Sequence, residues 1–62
     1  MITKKQVIAE LVKLKFGKVK AENLLEKHID IYEVKCDEEF STAKTIAIDI
    51  EEAWLQEDEV NA

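Results

Sequence analysis

Residues 2–17, Ile2-Thr3-Lys4-Lys5-Gln6-Val7-Ile8-Ala9-Glu10-Leu11-Val12-Lys13-Leu14-Lys15-Phe16-Gly17, decide the fold class. The first backbone N–H groups of a helix have no partner within it, and a threonine hydroxyl just before the helix accepts from one of them. Thr3 is placed for that role. Gln6 follows three residues later, which is the spacing of a reciprocal capping box. Ile2 before the cap and Val7 at the fourth helical position have the spacing of a hydrophobic staple. Val7, Ile8, Leu11 and Val12 then recur at three- and four-residue steps, with Leu14 or the Lys15 stem extending the face. Lys4, Lys5, Glu10 and Lys13 lie mostly opposite. Gly17, the only glycine, stands just past the apolar run, where a helix end calls for a left-handed residue. The pattern predicts a helix over 4–15.

Working outward, Val19, Leu24, Leu25 and His28, assisted by Ala21, form the apolar side of a second helix near 18–29, with Glu22 and Glu26 toward solvent. Its end is ambiguous. Helical phase carries on through Ile31, Tyr32 and Lys35, but β-branched Ile29, Ile31 and Val34 equally allow a short extended segment within 29–36. A third helix is expected over 38–56. Asp37 would cap it, and Glu38 and Glu39 would suit the positive end of its dipole; a start at Ser41 or Thr42 is the alternative. Phe40, Ala43, Ile46, Ala47, Ile50, Ala53 and Trp54 make its stripe.

The expected architecture is therefore all-α, a compact three-helix bundle in one domain over 1–56, with 57–62 a frayed acidic tail. Its expected core is Val7, Ile8, Leu11, Val12, Phe16, Leu24, Leu25, Phe40, Ile46, Ile50 and Trp54. A chain of 62 residues buries only about 60% of its unfolded surface, so such domains often lean on a crosslink, a metal or a partner. Cys36 is alone, which excludes an internal disulfide and suggests a reducing, cytoplasmic setting. One His and one Cys, eight positions apart, do not make a metal site. No cofactor or small-molecule ligand is expected, and no segment is apolar enough for a secretory leader or a membrane span.

Charge is divided along the chain. Residues 1–28 hold seven lysines and three acids, net +4; residues 29–62 hold two lysines and eleven acids, net −9; the sum is the chain's −5. Helix, glycine turn, helix is also the outline of a DNA-reading helix-turn-helix, in which Lys15, Lys18, Lys20 and Lys27 would reach phosphates. Against it stand the absence of arginine, the acidic total, and Glu22 and Glu26 on the outer side of the second helix. An ordinary αα-hairpin is the simpler reading. The turn Leu14-Lys15-Phe16-Gly17 resembles that of ubiquitin-associated domains, which are three-helix bundles of about this size. The order here is Phe-Gly where that family has Gly-Phe, so no binding residue is carried over.

Catalysis finds little support. His28 sits on an apolar face and Cys36 is followed by Asp37, Glu38 and Glu39, which oppose a reactive thiolate. Two residues remain unexplained by packing. Ile48 and Leu55, seven apart, lie off the stripe of Ile46, Ile50 and Trp54. The expectation is a protein-interaction module, not an enzyme, that docks a protein or dimerises through the third helix, using Ile48 and Leu55 with Trp54 or Tyr32 nearby. A small DNA-associated regulator using the 4–29 hairpin is the alternative. The basic half of one chain could also meet the acidic half of another.

Overall fold

The computed structural model describes the backbone of residues 1–61 and the side chains of residues 1–57, and the described residues form four helices. They are α1 (Lys4–Lys13), α2 (Lys18–Lys27), α3 (Ile29–Lys35) and α4 (Ala43–Asn61). No strand occurs among the described residues. The radius of gyration, 11.0 Å, is close to the roughly 10.6 Å expected of a folded chain of this length.

The start of α1 follows the sequence. Gln6 N–H donates to Thr3 Oγ1 at 3.2 Å and Thr3 N–H donates to Gln6 Oε1 at 2.8 Å, so the capping box is complete. Its end differs. Lys15, not Gly17, takes the left-handed conformation, with φ 74°. Lys15 N–H donates to Val12 O at 2.9 Å and Phe16 N–H to Leu11 O at 3.4 Å, the two bonds of a Schellman turn. Gly17 has φ −67° and ψ 155° and serves as the N-cap of α2. The turn closes two residues early because Phe16 must fold back onto the core, where it packs.

The expectation of three helices is corrected at residues 28–43. Segment 29–36 is helical, not extended, and α2 and α3 are separated by a bend at His28, whose φ is −111° and ψ 37°. Packing overrides the β-branched composition. Ile29, Ile31 and Tyr32 press on the core, Tyr32 Oη donates to Ile2 O at 2.8 Å, and Lys35 Nζ bonds the Asp49 carboxylate on α4.

The last helix begins at Ala43, not residue 38. Thr45 N–H donates to Thr42 Oγ1 at 3.2 Å, and Thr42 N–H donates to Thr45 Oγ1 at 2.9 Å. This reciprocal pair is a cap that Asp37 could not form, since Phe40 stands three residues after it. At the other end the helix runs past Glu57 to Asn61, so Glu57 belongs to the body of α4; the side chains of residues 58–62, the rest of the expected tail, lie outside the described residues.

The buried core is Val7, Leu11, Ala21, Leu24, Leu25, Ile46, Ala47 and Ile50. Ile8, Phe16 and Trp54 flank it, half-buried. Two expected core residues are outside. Val12 is 42% exposed because it points off the outer side of α1. Phe40 is 91% exposed because the late start of α4 leaves it in the connecting loop.

Candidate docking surfaces

Core packing settles which apolar side chains remain free. On α4, Ile46, Ala47, Ile50 and Trp54 turn inward, toward α1, α2 and α3. A residue seven positions from another lies only about 20° away around a helix. Ile48 and Leu55 therefore share one side of α4, set off from the core stripe, with Leu55 48% exposed and Ile48 half-buried. Glu51 and Glu52 fall between them in sequence and flank the ridge they form.

The aromatic residues expected beside this ridge serve the interior instead. Trp54 meets Phe16 edge to face, with centroids 5.3 Å apart. Lys20 Nζ lies 4.3 Å from the centre of the Trp54 ring and 5.6 Å from that of Phe16. Tyr32 is held by its bond to Ile2 O, and burial, with the neighbouring Cys36 and Asp37, pushes its phenol up from the ordinary value. Of the four residues expected to form the partner site, the structure brings Ile48 and Leu55 together on one side and commits Trp54 and Tyr32 to packing.

The four lysines of the alternative reading do not form one surface. Lys20 covers the aromatic pair, and Lys27 Nζ donates to Glu57 Oε2 at 2.8 Å. Lys18 lies at the opposite edge of α2, and Lys15 sits in the turn. The outer side of α2 between them carries Val19, Glu22, Asn23 and Glu26, all exposed.

His28 is buried at the α2–α3 bend, and its Nε2 finds no hydrogen-bond partner among the described residues; Glu57 Oε1 is 3.8 Å away. Cys36 is half-buried, its thiol 3.6 Å from Glu33 O. Among the described residues, no group of His, Cys, Asp and Glu could hold a metal ion, and no helix is long and apolar enough to cross a membrane.

A surface that sequence reasoning missed runs along the outside of α1 and α2. Ile8, Ala9 and Val12 form the apolar floor of an open groove of about 770 Å³, with Lys5, Lys13, Lys18 and Glu22 on its rim. Lys13 is already paired with Glu10 at 2.9 Å. Lys5 and Lys18 have no carboxylate within salt-bridge distance among the described residues. The signal was the apolar width of the first helix: Val7, Ile8, Ala9, Leu11 and Val12 span more of its circumference than one contact with α4 covers.

No family model matches the chain, and no curated protein or solved structure matches it either.

Proposed function

We propose that this chain is a non-enzymatic protein-interaction module that acts by docking, with the outer side of α4 as a working surface. The observation that carries the reading is the pair Ile48 and Leu55, aligned away from the core on a helix that has already filled its inward stripe. A helix with apolar residues on two sides gains by covering both. The glutamates beside the ridge keep it soluble when uncovered and restrict which partner can approach. The ionisable groups favour the same reading. Among the described residues the ion pairs, Lys4 with Glu26, Lys13 with Glu10, Lys27 with Glu57 and Lys35 with Asp49, are distributed over the helices, whereas catalysis calls for polar groups converging in one pocket.

The test compares wild type with Leu55→Glu as immobilised baits. Partner retention, whether of another protein or of a second copy, should be lost in the variant while its melting curve stays near wild type. Equal retention by both baits would refute the use of this surface.

A further inference from the structure

The groove between α1 and α2 is a second surface, chemically unlike the first, and the chain itself carries a segment that fits it. We infer that the groove seats the acidic loop Asp37–Phe40 of a second copy, with Phe40 as the anchor.

Three observations lead there. The floor of Ile8, Ala9 and Val12 is apolar, and the small Ala9 leaves room for a bulky side chain. The rim carries three lysines and one glutamate, so two grooves facing each other would place like charges together; the occupant must be acidic. Phe40 stands 91% exposed directly after Asp37, Glu38 and Glu39. An aromatic side chain in water next to three carboxylates is the complement of an apolar floor behind lysines.

The loop is also held in shape before it binds. Ile2 N–H donates to Cys36 O at 3.3 Å, Glu38 N–H to Lys35 O at 3.1 Å, and Ser41 N–H to Glu38 O at 3.3 Å. Ser41 Oγ donates to the Glu38 carboxylate at 3.0 Å. These bonds fix the turn that presents Phe40, so little chain entropy is lost when its ring is covered. Asp37 and Glu39 are exposed and free to face Lys5 and Lys18 of the other copy.

Sedimentation velocity of the whole chain, from micromolar to millimolar concentration, tests this. The mean mass should rise with concentration and fall back when salt is added, because exposed charge pairs are screened. Phe40→Ser and Val12→Glu should each weaken association about tenfold or more. Lys5→Glu/Lys18→Glu makes the groove acidic, and Asp37→Lys/Glu39→Lys makes the loop basic. Each double variant alone should be monomeric. Mixed, they should associate, since each then offers the other a complementary partner; restored association also shows that both are folded. A chain that stays monomeric at every concentration, or a mixture that does not associate, overturns the inference. If association is lost only in Leu55→Glu and not in Val12→Glu, the groove assignment falls while the α4 surface stands.

Discussion

Phe16 and Trp54 meet edge to face, with ring centroids 5.3 Å apart and planes at 86°. The contact joins the α1–α2 turn to α4, and Lys20 Nζ covers it 4.3 Å from the Trp54 centroid. Residues 38 positions apart in sequence are thereby tied together in a domain with little core to spare. Phe16→Ala should cost about 2–3 kcal/mol, the loss of half-buried aromatic area plus the ring–ring term. Phe16→Leu keeps most of the area and should cost about 1 kcal/mol. Trp54 is the only tryptophan, so its fluorescence reads both changes directly during urea unfolding. A Phe16→Leu cost near zero would show that the ring geometry contributes nothing.

Lys15 occupies the left-handed position of the Schellman turn at φ 74°. A side chain there costs about 1 kcal/mol relative to glycine, partly offset by glycine's greater freedom when unfolded. Lys15→Gly should raise the urea midpoint, a gain of about 0.5 kcal/mol. Gly17 is in an ordinary extended conformation, and nothing lies within 4 Å of where its Cβ would be. It also caps α2 without a side-chain bond. Gly17→Asp should stabilise by a few tenths of a kcal/mol by supplying that acceptor at the positive end of α2. A destabilised Gly17→Asp would contradict the assigned roles.

Lys27 links α2 to α4 through Glu57. Its hydrogen bond holds the Glu57 carboxyl below the usual carboxylate range; partial burial opposes the shift, while the Lys27 charge and His28 add to it. A carboxylate whose pKa is depressed by folding contributes stability above its unfolded pKa and loses it as pH falls through the folded value. Lys27→Gln should therefore melt below wild type at neutral pH, and the gap should close on acidification. Lys35, raised by its hydrogen bond to Asp49, behaves in the opposite sense. Its contribution is present below the ordinary lysine value and is lost as pH rises through the raised one. Lys35→Met should differ from wild type at neutral pH and converge with it only in strong alkali.

Val12 and Phe40 are expected core residues that the fold leaves outside. Val12→Glu and Phe40→Ser should each change unfolding free energy by no more than about 0.5 kcal/mol, as is usual for exposed sites. Chemical denaturation of dilute samples checks this. A cost of several kcal/mol at either site would mean that the residue packs intramolecularly after all.

How much of this was legible in the sequence depends on the range of the interactions involved. The Thr3–Gln6 cap and the faces of α1 and α2 are set by residues three or four apart, and they were readable. The Ile48–Leu55 alignment is likewise a matter of helical phase. Residues 29–36 were not decidable, because Ile29, Ile31 and Val34 favour extension locally. Tyr32 reaching Ile2, and Lys35 reaching Asp49, hold that segment helical from a distance. Phe40 followed from the same difficulty: an Asp37 cap and a Thr42–Thr45 cap both fit the sequence, and only the second leaves the ring in solvent. The groove depends on tertiary packing, which buries Val7 and Leu11 fully and leaves Ile8, Ala9 and Val12 to line it.

The central claim is that copies of this chain meet through the groove and the Phe40 loop. Intermolecular paramagnetic broadening tests it most directly. Unlabelled chains carrying a nitroxide at Glu22→Cys on the groove rim, in a Cys36→Ser background, are mixed with isotope-labelled chains carrying no nitroxide. Broadening of the labelled amides should centre on residues 37–41. Broadening centred on Ile48 and Leu55, or none at millimolar concentration, would contradict the contact between groove and Phe40 loop.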